Sequence, residues 1–286
     1  MPRPIPLPPP VTTITRPVSS MQSTLGRDLG RRGPTEEESL RPHPRRAHHP
    51  VPLVNCLGSR PMSGWRILIP VKQLKLAKTR TGLNADERKS LSLAMLRDVL
   101  AAVKQTREVA EVIICTSDPQ VRDACPEDTS WLTSGRGGLN SDIAETLAAV
   151  SMDAPGRPSA VVVADLPCLR PDDLGTVLSL AVRQPPDLVS SCDGGTTILA
   201  AWQPHRLKTQ FGEGSAREHT RCYRDVSSHI GIGNRLDIDT LEALLQGHLV
   251  GLGPRTQNCL ISLGGPHRLM DRREHQRLAG GPKSHE

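Results

Sequence analysis

Apolar positions in the middle of the chain alternate between two periods. Ile67-Leu-Ile-Pro-Val71 is a short, nearly unbroken apolar run of strand length. From Ala85 to Lys104, Leu91, Met95, Val99 and Val103 recur every fourth position, and Leu96 and Leu100 widen the stripe, which is helical spacing. Val112-Ile-Ile-Cys-Thr116 is rich in β-formers, 143–150 returns to the helical pattern, and Ala160-Val-Val-Val-Ala164 is apolar on both faces, as a strand covered from both sides must be. Leu166-Pro167 breaks that run, and Pro171-Asp-Asp-Leu opens a helix with proline near its first position and acids in its first turn. Segments 187–192 and 196–202 read as strands, a helix starts near Ser215, and Leu236-Asp-Ile-Asp239 reads as a strand leading into a helix at 241–245. Repeated β-α units with continuously apolar strands predict an α/β fold, a mostly parallel mixed sheet covered by helices on both faces. Ligands of such sheets bind at the carboxyl ends of strands, so candidate chemistry belongs there.

The two ends of the chain lack this pattern. Thirteen of the 26 prolines fall within residues 1–61, a composition that cannot bury enough apolar surface to offset its ordering entropy. That predicts a disordered extension, with Met62, just ahead of the first strand, as an alternative start. Residues 257–286, rich in Gly, His and Arg, read as a second, basic, disordered tail, leaving one domain at 62–256. The formal charge of +6 sits at these ends: 1–61 holds nine Lys/Arg against four Asp/Glu, 257–286 holds five against three, and the body carries −1. A near-neutral body is no nucleic-acid footprint. Trp65, Trp131, Trp202, Phe211 and Tyr223 are the whole aromatic set, too few for a base-stacking platform. No uncharged apolar run approaches the roughly 20 residues of a membrane span, and the N-terminus has no secretory apolar stretch. Seven scattered cysteines without a C-x-x-C fit reduced thiols in the cytoplasm, not a disulfide framework or a zinc site.

Four groups of residues at predicted strand ends could carry chemistry. Lys72, Lys75, Lys78 and Arg80 follow the first strand and could clamp a polyphosphate; a solvated basic loop is the plainer alternative. Gly135-Arg-Gly-Gly138-Leu-Asn140 precedes a helix, where backbone N–H groups can approach an anion, although Asn140 also suits a plain N-cap. Asp165 ends the most apolar strand, where a carboxylate is costly unless paired or bound to a metal. Asp237 and Asp239 alternate, so in a strand both face one side; Asp239-Thr240 also looks like a helix cap, which makes Asp237 the better ligand and Asp239 its structural partner. Acids from separate strand ends suit Mg²⁺, which takes one or two carboxylates plus substrate phosphate oxygens. Gly194-Gly-Thr-Thr197 and Phe211-Gly-Glu-Gly-Ser215 are loops suited to a phosphate or carboxylate, with Ser215 as a plain N-cap as the alternative. His205 and His219 have no ligand spacing and are expected at the surface or in helix contacts. No Walker-type phosphate loop is present.

Seven motifs, in order, resemble the guanylyltransferases of coenzyme F420 biosynthesis, which activate phosphoenolpyruvate or 2-phospho-L-lactate with GTP. They are Pro-Val-Lys72 with Ala77-Lys-Thr-Arg80, Gly138-Leu-Asn140, Ala164-Asp-Leu-Pro167, Gly195-Thr-Thr197, Phe211-Gly212 with Gly214-Ser-Ala216, Asp237-Ile-Asp-Thr240, and Gly251-Leu-Gly-Pro254. The similarity spans about Ile67 to Thr256. It implies a Rossmann-like nucleotidyltransferase fold, Mg²⁺ on Asp165 and Asp237, and the phosphorylated acid on Thr197, Gly212 and Ser215. Lys72, Lys78 and Arg80, with Gly138 and Asn140, would then take the nucleotide, Lys72 acting in catalysis with the two aspartates. The glycine-threonine loop departs from the family's usual Gly-Thr-Gly-Thr-Thr, reading Asp193-Gly-Gly-Thr-Thr197, and Arg235-Leu236 ahead of Asp237 is also unusual.

The expected reaction is attack of the acceptor's phosphate oxygen on the α-phosphorus of GTP, with loss of pyrophosphate and no need of a general base. Abundant Arg, Ala, Gly and Pro point to a high-GC source, which within the family favours phosphoenolpyruvate over 2-phospho-L-lactate; the same reaction on 2-phospho-L-lactate or 3-phosphoglycerate is the alternative. A related nucleotidyltransferase with another acceptor, and a non-catalytic regulatory protein acting through the Pro-rich arm, are the competing readings. The oligomeric state stays open, a homodimer included.

Overall fold

The computed structural model describes residues 64–279 apart from 77, 127–128, 133–137 and 183–184; the expected 1–61 extension, Met62 and Gly135–Gly137 lie outside the described residues. In chain order the strands are β1 (Trp65–Pro70), β2 (Val109–Cys115), β3 (Ser130–Leu132), β4 (Ser159–Val162), β5 (Asp187–Ser190), β6 (Thr196–Ala201) and β7 (Arg224–Asp225). The helices are α1 (Ala85–Gln105), α2 (Pro119–Asp123), α3 (Leu139–Asp153), α4 (Pro171–Leu180), α5 (Ser215–His219), α6 (Leu241–Val250), α7 (Pro254–Ser262) and α8 (Gly265–Ala279).

The strands make one seven-stranded sheet in the order β3-β2-β1-β4-β6-β5-β7. β1 pairs in parallel with β2 and β4, β2 with β3 and β5 with β7, while β6 runs antiparallel between β4 and β5. The expected mostly parallel mixed sheet is therefore present. Because β6 alone is reversed, its amino end lies beside the carboxyl ends of β1, β4 and β5, and the loops leaving all four meet at one edge.

Both faces of the sheet are covered, which explains the unbroken apolar strands. Ile67 and Ile69 pack with Leu96, Val99, Leu100 and Val103 of α1 and Leu174, Val177 and Leu178 of α4. Leu68 points the other way, into Val161, Leu199, Tyr223 and Ile143 and Leu147 of α3. Side chains buried this completely each contribute about 1.5–3 kcal/mol. α1 starts at Ala85 because Asn84 and Glu87 form a capping box: Asn84 Oδ1 accepts from the Glu87 N–H and a Glu87 carboxylate oxygen from the Asn84 N–H, both at 2.9 Å.

Two expectations fail. First, the chain from 257 does not begin a disordered tail. α7 and α8 place Leu260, Leu263 and Leu269 against Leu91 and Met95 of α1 and Leu241 and Leu244 of α6. The buried Asp98 of α1 accepts the Arg255 and Thr256 N–H groups at 3.1 and 2.7 Å, capping α7 from a neighbouring helix. Residues 280–286 lie outside the described residues. Second, Leu236–Asp239 is not a strand of the sheet; the Ile238 N–H bonds the Asp165 carbonyl at 3.0 Å and ties the segment to the exit of β4. The helix expected near Ser215 does begin there, as the five-residue α5, with Gly214 rather than Ser215 as its N-cap. Among the described residues, no helix is long and apolar enough to cross a membrane.

Candidate active site

The loops at this edge enclose a cavity of about 740 Å³. One wall is charged. After β1 the chain is held by the Leu74 N–H on Asp118 Oδ2 at 2.9 Å, then turns at Lys78, whose φ of 56° makes it the one left-handed non-glycine residue among those described. That conformation costs on the order of 1–3 kcal/mol and is fixed by the Thr81 N–H and hydroxyl, which both donate to the Lys78 carbonyl. It sends the lysine inward. Its Nζ lies 2.5 Å from Asp165 Oδ2 and 2.7 Å from Asp239 Oδ1, with the side chain only 6% exposed. Burial opposes the ammonium's charge, but the two carboxylates outweigh it and hold its pKa above the usual lysine value. Arg80 Nη2 reaches Asp239 Oδ2 at 2.7 Å from a largely exposed position, and Lys72 stands exposed on the rim.

The acids on this wall are not evenly neutralised. Asp165 Oδ1 is buried and has no hydrogen-bond partner. Burial pushes the Asp237 carboxyl up to about 6; the Ser191 hydroxyl, donating to Oδ1 at 2.5 Å, works against this, and the nearby Asp165 and Asp193 add to it. Burial also acts on Asp239, but Lys78 and Arg80 prevail and hold its carboxyl below the usual range. Asp239 is thus a member of the charged wall rather than a helix cap: Thr240 Oγ1 caps α6, accepting the Ala243 N–H at 3.1 Å.

An orphaned buried carboxylate oxygen beside a carboxyl reluctant to ionise leaves a place that a hard cation fits. Among the described residues no three acidic, His or Cys side chains form a ready metal cage. Two carboxylates completed by substrate phosphate oxygens are a magnesium-type donor set, and the residues fit that ion.

The rest of the lining carries hydroxyls and glycines. Thr196, Gly212 and Ser215 belong to it, and Ser215 Oγ donates to Thr196 Oγ1 at 3.2 Å. Gly212 and Gly214 have φ of 155° and 64°, with open space where a Cβ would stand. Thr197, the threonine expected to bind substrate, faces away: it is fully buried and its hydroxyl donates to the Asn234 carbonyl at 2.8 Å. Adjacent strand residues point to opposite faces, so only one of the tandem threonines can reach the cavity, and it is Thr196.

Asn140, expected on the nucleotide, is committed elsewhere. Its Nδ2 donates to the Phe211 carbonyl at 3.0 Å and its Oδ1 accepts the Phe211 N–H at 2.8 Å, so it pins the 210–215 loop. Gly138 is the N-cap of α3 at φ 86°, and the following Leu139 borders the cavity. His219, expected at the surface or in helix contacts, is 2% exposed and sits behind Thr196. The structure therefore brings Lys72, Lys78, Arg80, Asp165, Asp237, Gly212 and Ser215 together, and adds Asp193, Thr196 and Asp239 to the lining. Asp239 is legible from its alternation with Asp237 as a structural partner only, and Asp193 and Thr196 are not singled out in the sequence.

The mixed sheet with helices on both faces is a fold found in solved proteins. A solved protein from Desulfovibrio desulfuricans G20, assigned as a nucleotide-diphospho-sugar transferase, shares the fold with a TM-score of 0.50 at 17% identity, over 64% of this chain and 86% of that one. Residues 65–273 match the family described as "Guanylyl transferase CofC like", and the chain belongs to it. Relatives include the phosphoenolpyruvate guanylyltransferase of Streptomyces scabiei, 36% identical over 67% of this chain and 94% of its own length. That of Streptomyces coelicolor is 33% identical over 67% and 93%. The protein is a nucleotidyltransferase.

Proposed function

We propose that the protein transfers GMP from GTP to the phosphate of phosphoenolpyruvate, giving enolpyruvyl-diphospho-guanosine and pyrophosphate, as a step of coenzyme F420 biosynthesis in the cytoplasm. The observation that carries this reading is the lining of the cavity. One wall has the charges a triphosphate and its cation need, and the rest offers hydroxyls and open glycine backbone to a small anionic acid. The names of the relatives support the choice of acid.

The acceptor's phosphate oxygen forms the new bond to the α-phosphorus as the bond to the β-phosphate breaks, and pyrophosphate leaves. Both partners are anions, so bringing them together is mainly a matter of neutralising charge. Lys72 and Arg80, at the mouth, meet the triphosphate, and Lys78 keeps a positive charge between Asp165 and Asp239. Asp165 and Asp237 would hold Mg²⁺, which when bound supplies neutralisation of phosphate charge. Thr196, Ser215 and the Gly212 backbone receive the acid. No side chain needs to remove a proton, since the attacking phosphate is already ionised at neutral pH.

The test is pyrophosphate release by the full chain with GTP and Mg²⁺, offered phosphoenolpyruvate, 2-phospho-L-lactate and 3-phosphoglycerate separately. Release with phosphoenolpyruvate in clear preference is the expected result. Release with another acid alone would overturn the choice of acceptor, and silence with all three from a folded, GTP-binding protein would overturn the reaction.

A further inference from the structure

We propose that His219 is a positioning residue for the acceptor acid: its neutral ring, protonated on Nδ1, fixes the Thr196 hydroxyl as a hydrogen-bond donor pointed into the cavity. This rests on the reading of the Thr196 wall as the acceptor's site. The protonation pattern follows from the partners. The Gln210 backbone N–H can only donate, and it reaches His219 Nε2 at 2.9 Å, so that nitrogen is the unprotonated acceptor. A neutral imidazole then carries its proton on Nδ1, which lies 2.9 Å from Thr196 Oγ1 and donates to it. Ser215 Oγ donates to the same oxygen at 3.2 Å. Both lone pairs of the Thr196 hydroxyl are thereby occupied, and its own hydrogen is left for an acceptor in the cavity that Thr196 lines. A hydroxyl donor of this kind suits a carboxylate or phosphate oxygen.

The ring is built to stay in this state. It is 2% exposed and meets Phe211 and Tyr223 edge-on, with ring centroids 5.5 and 5.6 Å away. Because Gln210 belongs to the loop that continues to Gly212 and Ser215, while Thr196 begins β6, one imidazole joins the two strands of chain that form the acceptor wall. The Ala216 N–H to the Gly194 carbonyl, at 3.2 Å, closes the same seam.

The test compares four variants by steady-state kinetics, with the ring's tautomer read by ¹⁵N NMR in the unaltered full chain. His219→Phe keeps the ring shape and removes both nitrogens. It is expected to raise KM for the acid by about 10-fold or more, as loss of a hydrogen bond to a charged group does, with kcat and KM for GTP within about twofold. Thr196→Val should do the same, and the double variant should add little to either. His219→Asn, whose amide N–H stands near the place of Nδ1–H, should recover most of the acid affinity, whereas His219→Gln, which can still accept from Gln210, should not. The Asn and Gln pair keeps the test decisive where the Phe variant folds poorly. Unchanged acid KM in folded His219→Phe, additive effects of the two single changes, or an Nε2-protonated ring would overturn the proposal. Silence of the unaltered protein with every acid would instead overturn the reading of the cavity, while the tautomer would still be decided by NMR.

Discussion

The same sheet carries a charged cluster at each end, and the two are built differently. At the amino end of β1, Arg66 and its cross-strand neighbour Glu111 pair at 2.8 Å, and Arg157 reaches the same carboxylate at 2.8 Å. Arg66 also donates to the Val150 carbonyl at 3.0 Å while 1% exposed. One anion lies between two cations there, and none of the three borders the cavity. At the carboxyl end, Asp165, Asp237 and Asp239 face Lys78 and Arg80, one Asp165 oxygen has no partner, and Lys78 is held in a strained backbone conformation. The first cluster holds the fold together. The second keeps an excess of negative charge and strain that nothing within the fold requires, which is the signature of a site completed by what it binds.

Breaking each cluster should therefore have opposite consequences. The largest effect is expected from Asp165→Asn or Asp237→Asn, which should lower turnover by about 10²–10³-fold while the protein stays folded. For Asp237 the sign of the stability change can be worked out. Its carboxyl is raised to about 6 by burial and by Asp165 and Asp193, so between roughly pH 4 and 6 the folded state binds more protons than the unfolded chain, and metal-free stability declines as pH rises through that window. Asp237→Asn, still able to accept from Ser191, should remove that decline and raise the metal-free melting temperature at pH 7 by roughly 2–4 °C, as a gain of about 1 kcal/mol does in a domain of this size. Thermal melts without metal, across pH, check it; a lower melting temperature would refute the excess-charge account.

The mirror experiment is Glu111→Gln. Leaving Arg66 buried without its anion should cost about 3–5 kcal/mol of stability by denaturant titration, with kcat of the folded protein unchanged. A smaller effect should come from pH acting on His219. Burial lowers its pKa, with Glu218 opposing, so the stability it contributes is complete above pH 6.5 and is lost as pH falls through the lowered value. Denaturant titrations at pH 7.5 and 5 should show this loss, and it should be missing in His219→Gln. Smallest of all is Arg80→Met. The side chain is 64% exposed, so its pairing with Asp239 is well screened, and KM for GTP should rise about threefold with stability nearly unchanged.

These contrasts also mark how far the sequence was legible. Strands buried on both faces wrote themselves as apolar runs, so the order of β-α units and the placing of Asp165 at a strand end followed directly. The C-terminal helices did not, because α7 and α8 bury only single leucines at 260, 263 and 269 and present Gly, His and Arg outward. Thr197 was expected at the acid because the family resemblance implied it; two adjacent threonines carry no information about which face each takes, and the packing of β6 turns the Thr197 side chain away. Asn140 was read as a ligand or a cap, since its two bonds to Phe211 join residues 71 positions apart and leave no local trace. Asp239 was half legible, being on the correct alternation yet next to a residue that caps a helix.

The most direct test of the central claim is ³¹P NMR of the full chain turning over GTP and phosphoenolpyruvate with Mg²⁺. The account predicts paired diphosphate-ester resonances of a new nucleotide, appearing one for one with pyrophosphate and lost in Asp165→Asn. GDP and orthophosphate in their place, or the same product formed at an undiminished rate by Asp165→Asn, would contradict it.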